Sequence, residues 1–328
     1  MEILKKTIVD LIKGFFIGIA NIIPGISGGT FALILGIYER LINAIANIDK
    51  DFVSGLAGIF KEGLKSSKFR KALRKIDFYF LLRICIGAGI SIVILSKVIK
   101  YFLVSQHDPT YSFFIGLIIP SIIIPYRMMQ RKGFREVVCF LLAIIFLVSI
   151  SVGFGELKDR KLEIKESTTE LHSELIEHTP QHLIFVAFSG ALAISAMILP
   201  GISGSFILLI MGEYENVLTA INTRDYLFLA VFAFGMFCGI IFFTKLLKLL
   251  LKKYHSQTIA FLIGLMIASI YSLFPFKSMI EINGQLFHSS RNILPVINSN
   301  FWISVISFFV GFMIVYGFNL VEQKFKKE

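Results

Sequence analysis

The chain has 328 residues, of which 55% are hydrophobic and only 17% charged, with a mean hydropathy of +0.77 and a formal charge of +11. Soluble globular chains carry about 25% charged residues. The composition therefore excludes a soluble enzyme, a disordered chain and a disulfide scaffold, and it marks an integral membrane protein whose basic residues are first a matter of orientation in the bilayer, not of nucleic acid.

The predicted elements, in chain order, begin with an apolar region at 14–45 that is interrupted at Pro24-Gly25. A basic stretch follows at 48–77. Crossing a bilayer takes about 20 apolar residues, and runs at 78–98, 111–126 and 137–154 meet or approach that length. Residues 155–181 are acidic and rich in Ser and Thr. A second interrupted apolar region spans 190–221, broken at Pro200-Gly201, and further runs lie at 226–247, 259–274 and 301–320. These runs are continuous, where barrel strands would alternate, so the spans are predicted to be helices. No small-residue cleavage site follows the first run, so it is not read as a removed signal peptide. Cys85, Cys139 and Cys238 sit in apolar runs without CxxC or metal-ligand spacing. They read as packing residues, and neither cofactor nor metal is expected.

Segments 14–45 and 190–221 align without a gap at an offset of 176, with 15 of 32 positions identical. Chance in apolar windows gives roughly three or four. The likeness continues downstream at an offset of 148, where Asp77 matches Asp225, Gly87 matches Gly235 and Gly116 matches Gly264. The chain is a duplication. The fold expected is an all-α polytopic membrane protein of two inverted-topology repeats, 1–154 and 182–328, joined by an extracytoplasmic polar loop at 155–181. Inversion follows from length. Residues 30–45 make about 24 Å of helix, short of the roughly 30 Å hydrocarbon core. Each broken region is thus read as a re-entrant hairpin, and three spans after it put the second repeat on the opposite side. With the N-terminus inside, 22 of the 33 Lys and Arg fall on the cytoplasmic side and nine outside, as the positive-inside rule requires. Both termini are expected to be cytoplasmic.

Broken helices at membrane depth leave backbone groups without partners, which is tolerated only inside protein or beside a watery cavity. Two of them, at matching places in inverted repeats, point to a transporter's central site. Pro24 and Pro200 stop the first helix of each hairpin. Gly25, Gly28, Gly29, Gly201 and Gly204 let a ligand approach the backbone, and Ser27, Thr30, Ser203 and Ser205 add hydroxyls. An uncharged nest of this kind at a helix start suits a phosphate or carboxylate. Otherwise each motif is a tight turn between packed helices. Gly-x-Tyr-Glu follows both motifs, ending in Glu39 and Glu215. These carboxylates are either solvated at the helix's far end or sit inside the bundle, where they pair with a cation or take a proton. Arg83 lies in the apolar run FYFLLRICIGAG. It either snorkels to the cytoplasmic interface or meets an anionic head group. Arg40 and Arg127 are lesser candidates.

The motif PGISGGT, its echo PGISGS and the trailing G-x-Y-E resemble the PopT-like family of polyprenyl-phosphate (undecaprenyl phosphate) translocases, over roughly residues 14–320. The resemblance implies return of the lipid carrier to the cytoplasmic leaflet for peptidoglycan and cell-wall synthesis. It also implies coupling to an ion gradient, for which Glu39, Glu215, Asp77 and Asp225 are the candidates. The implied partners are the lipid and the bilayer, without nucleic acid, and a homo-oligomer stays open. The second motif departs at Ser205 and Phe206, where the first has Gly29 and Thr30. Residue chemistry alone reaches only an inverted-repeat transporter with a central oxyanion site. An intramembrane polyprenyl-pyrophosphate phosphatase is the rival. Against it, glycine follows Ser27 and Ser203, and all six histidines lie in polar loops or at segment ends. An anion or small-solute carrier is a third reading.

Overall fold

The computed structural model of the chain describes residues 2–22, 27–49, 52, 54, 67–167, 178–282 and 285–325. Its elements are α1 (Glu2–Ile22), α2 (Gly28–Ile34), α3 (Tyr38–Ala46), α4 (Ser67–Lys75), α5 (Phe78–Ser105), α6 (His107–Ser121), α7 (Ile123–Met128) and α8 (Phe134–Ser167). Then come α9 (Pro180–Ile198), α10 (Gly204–Met211), α11 (Tyr214–Thr223), α12 (Tyr226–Lys253), α13 (His255–Ser272), β1 (Lys277–Ile282), β2 (Gln285–Asn292) and α14 (Ser299–Phe325).

Seven described helical segments are long and apolar enough to cross a membrane. Six correspond to the predicted runs. The seventh, Pro180–Ile198, is a segment the sequence assigns to a hairpin arm. Its 19 residues make about 28 Å of helix. Thr179 caps it, accepting from the His182 amide, and Pro180 opens its first turn, the positions where each residue favours a helix start. The matching α1 is as long but carries Lys5, Lys6, Asp10 and Lys13.

Two expectations are corrected. The return arm of each broken region is not one 16-residue helix. It stops at Gly36 (φ +65°) and Gly212 (φ +80°) and restarts at Tyr38 and Tyr214. The stop has the same form in both copies, with the Ile37 amide donating to the Ala32 carbonyl and the Glu213 amide to Leu208, each at 2.9 Å. A left-handed residue closing such a bond ends a helix, and glycine adopts it without strain. Second, the polar segment after residue 154 continues α8 to Ser167, consistent with its Glu, Lys and Leu content; residues 168–177 lie outside those described. The chain is otherwise the all-α polytopic membrane protein expected, with one small β-hairpin added. Strands β1 and β2 pair antiparallel, with Met279 opposite His288 and a bulge between Lys277 and Met279. Asn283-Gly284 separates the strands in sequence, a dipeptide suited to two-residue hairpins.

The chain divides into two compact units, Met1–Ser96 with Ile176–Thr258, and Lys97–Leu175 with Ile259–Glu328. In the first unit, helices cross on glycine. Gly14 and Gly18 of α1 sit against Ile84 and Ala88 of α5, and Gly87 of α5 against Leu11. The duplicated positions repeat this, with Gly190 of α9 against Phe232 of α12, and Gly235 and Gly239 of α12 against Ala187 and Ala191. In lipid, where apolar faces gain little from merely meeting, such close backbone approach is what holds helices together. Phe80 and its counterpart Phe228 are fully buried. In the second unit, α6 and α14 cross likewise at Gly116 and Gly311, and Gly264 of α13 sits against Phe140 and Ala143 of α8.

Candidate functional site

The two motif loops meet inside the first unit. Ending a helix frees its last carbonyls, and α9 ends at Ile198. Their partners come from the other copy of the motif. The Ser27 hydroxyl donates to the Leu199 carbonyl at 2.8 Å, and the Tyr38 hydroxyl donates to the Ile198 carbonyl at 3.3 Å. In return the Gly201 amide donates to the Thr30 hydroxyl at 3.2 Å. Gly201 has φ +80°. Gly29 packs directly on the Ile198 carbonyl, so any Cβ there would collide with backbone.

The described end of the first loop is also closed on itself. Ser27 caps α2 by accepting from the Thr30 amide, and Asn21 accepts from the Gly28 amide at 3.0 Å. Ser27 and Thr30 are buried, at 2% and 1% exposure. The second loop is open. Ser203 precedes α10 without a side-chain cap, and its hydroxyl bonds that of exposed Ser205 at 2.7 Å. Gly204 is buried beside Met197. Pro24 and Gly25 lie outside the described residues.

A charged network lies in the same unit. Asp10 of α1, only 3% exposed, pairs with Arg83 at 3.2 Å and with Arg40 at 3.5 Å. Arg40 also grips Asp77 at 2.6 Å and lies 3.7 Å above the Phe80 ring. Arg83 is therefore half-buried against a carboxylate that sequence reading missed. The available signal was an acid flanked on both sides by apolar residues in α1, since a carboxylate buried among them needs a partner. Arg127 is exposed at the end of α7, in the other unit.

The duplicated positions carry no such network. Val186, Asn216 and Val231 stand where Asp10, Arg40 and Arg83 stand, and Val186 packs in an apolar cluster with Ala193, Phe228 and Phe232. The second copy pairs its charges with histidine. Glu213, 4% exposed, takes His182 at 3.0 Å and the Asn216 amide at 3.0 Å. Asp225 caps α12 through the Phe228 amide and meets His178 at 2.7 Å. Among the four carboxylates singled out in the sequence, Glu39 pairs with His255 at 2.8 Å, Asp77 with Arg40 and Asp225 with His178, while Glu215 is exposed. Glu213 is a further residue that sequence reading missed, because its counterpart is Ile37 and the repeat gave no echo of it.

A model of a family described as undecaprenyl phosphate translocase-like matches residues 17–290, a stretch that takes in both motif loops. The chain belongs to this family. The chain is similar to a polyprenyl-phosphate transporter of Vibrio cholerae, 36% identical over 275 residues, covering 82% of this chain and 78% of the relative. It is also similar to a polyprenyl-phosphate transporter of Staphylococcus aureus, at 29% identity over 275 residues, covering 81% and 86%. No solved structure matches the chain. Family membership and seven apolar helices make the chain a multi-pass membrane protein.

Proposed function

We propose that this chain carries a polyprenyl monophosphate, of the undecaprenyl phosphate class, across the cytoplasmic membrane and returns it to the cytoplasmic leaflet for envelope synthesis. The family match over residues 17–290 carries this reading. The names of the two relatives agree with it. The chain acts as a transporter and not as a phosphatase. Supporting this, the Ser27 hydroxyl is occupied in holding the Leu199 carbonyl, and the Ser203 hydroxyl contacts Ser205.

The prenyl tail stays in lipid while the phosphate passes through the first unit, where both motif loops and the Arg83–Asp10–Arg40–Asp77 network lie. The two copies divide the work. Gly28, Gly29, Ser27 and Thr30 hold the crossing of the loops in shape, and Gly201, Ser203, Gly204 and Ser205 offer amides and hydroxyls to the phosphate. Arg83 supplies the cation. A guanidinium binds carboxylate and phosphate with the same fork of N–H donors, so a phosphate replaces Asp10 on Arg83 while Asp10 keeps Arg40. The repeats are inverted, the broken regions are re-entrant, both termini are cytoplasmic, and rocking exposes the site to each leaflet in turn. Coupling to an ion gradient runs through carboxylates paired with titratable or cationic groups, of which Glu39, Asp77 and Asp225 are examples.

The test is surface labelling of undecaprenyl phosphate in cells that lack any redundant carrier. Deletion raises the exposed pool. Arg83→Gln or Ser203→Ala reproduces the deletion at normal protein levels. An unchanged leaflet distribution on deletion, or phosphate release from polyprenyl pyrophosphate by the purified protein, defeats the reading.

A further inference from the structure

The second unit contains a side-chain cluster that transport chemistry does not use. His107 opens α6 and Asp108 follows it, while His288 lies on β2. The His107 and His288 rings stack with centroids 3.7 Å apart and planes 10° apart. The His107 Nδ1 lies 2.9 Å from an Asp108 carboxylate oxygen. The other Asp108 oxygen accepts from the Asn300 amide of α14 at 2.8 Å. Each residue offers a donor atom, and these donors all lie within 4.8 Å of one another.

We propose that His107, Asp108 and His288 form a binding site for a divalent transition metal of the zinc type. Two imidazoles and a carboxylate are a ligand set that zinc accepts, with a fourth position left for water. The site is also only partly satisfied as a hydrogen-bonded cluster. The His288 Nδ1 is buried and has no hydrogen-bond partner, a state that buried polar atoms seldom keep. A metal gives such a nitrogen a bond. Asn300 supplies the outer contact that ligating carboxylates ordinarily have. The surroundings fit as well: the side chains of His107 and Asp108 are 12% and 18% exposed, so an ion can enter but the site is largely screened from water.

Binding has a geometric consequence. Zinc–ligand bonds of about 2.0–2.2 Å place tetrahedral donors roughly 3.3 Å apart. Parallel rings cannot both aim a lone pair at one ion, so the metal turns His288 out of its stack on His107 and draws the donors together. The ion then ties the β-hairpin to the start of α6 and, through Asn300, to the start of α14. The stack and the metal complex are alternative states of one cluster. The proposal concerns the second unit alone and does not depend on the transport reading.

The experiment uses the full chain in detergent or nanodiscs, stripped with chelator and titrated with zinc by equilibrium dialysis and with cobalt by absorption. One equivalent of zinc is expected, displacing cobalt that shows the intense ligand-field bands of a low-coordinate site. His288→Ala and Asp108→Asn are each expected to weaken binding at least about tenfold, and Asn300→Ala by about 10–100-fold, as outer-contact losses do. His178→Ala, in the other unit, keeps wild-type binding. Gel filtration and circular dichroism establish that each variant is folded, and His288→Gln replaces His288→Ala if that one is not. No zinc on the wild-type protein overturns the proposal by itself. So does binding that survives both His288 and Asp108 variants undiminished.

Discussion

The two motif loops descend from one sequence and share helix stops of the same form, yet they differ in what their side chains do. The described end of the first loop is sealed. Ser27, Thr30 and Gly29 are buried and spent on the ends of α9. The second loop leaves Ser203 half-buried and Ser205 exposed. The difference extends to the charges beside them. The first copy carries two arginines around a buried aspartate, and the second carries two histidine–carboxylate pairs around an apolar cluster. Duplication supplied two equivalent frames, and the frames then diverged. One braces the crossing of the loops, and the other keeps Ser205 exposed.

The comparison breaks most severely at Asp10. Asp10→Ala leaves Arg83 without its carboxylate and removes one of the two from Arg40. Stripping one partner from a buried pair costs about 3–5 kcal/mol. Arg83 is part-exposed and Arg40 retains Asp77, so about 3 kcal/mol is expected, read as a fall in thermal midpoint in detergent. Val186→Ala at the matching position serves as the control, and a loss there as large as at Asp10 contradicts the asymmetry of charge.

Next comes Gly29. Gly29→Ala drives a Cβ into the Ile198 carbonyl, and overpacking of this kind costs about 1–3 kcal/mol. The aligned residue is Ser205, which already carries a side chain in the open. Ser205→Gly is expected to leave the thermal midpoint within a degree or two. Equal sensitivity of the two positions removes the distinction between sealed and open loops.

Ser27→Ala removes a helix cap and the partner of the Leu199 carbonyl. About 1–2 kcal/mol is expected, from the cap and from the buried acceptor left unpaired. Its counterpart gives the smallest change in stability. Ser203→Ala is expected to cost less than about 0.5 kcal/mol, since the Ser203 hydroxyl caps no helix and meets only exposed Ser205, while slowing transport of the lipid phosphate about tenfold in proteoliposomes. If Ser203→Ala unfolds the protein instead, the second loop is as structural as the first.

Much of this was legible in the residues. Continuous apolar runs located six of the seven apolar helices, and the offset repeat located both breaks, because each depends on a local pattern. The Gly-x-Tyr-Glu echo was visible, but the helix stop it encodes was not, since a glycine reveals its left-handed turn only once the chain beyond it packs. The β-hairpin was hidden by the weight of helical signal around it, although Asn283-Gly284 marked it. Asp10 belonged to no motif, and Val186 at the matching position of the repeat gave no echo of it. Glu213 was overlooked because the repeat offered no counterpart.

By itself, then, the sequence determined the solvent of this protein, its duplication, the places where its helices break and the family to which it belongs. Those follow from composition, period and motif, all of which survive without knowledge of distance. Tertiary structure alone decided which carbonyls Ser27 and Tyr38 satisfy, that Asp10 lies between two arginines, and that His107 stacks on His288. Each of these pairs residues far apart in the chain, from Asp10 with Arg40 to His107 with His288. Their meeting depends on which helix faces turn toward each other, and that is fixed by the packing of whole helices on glycine and not by any local run of residues.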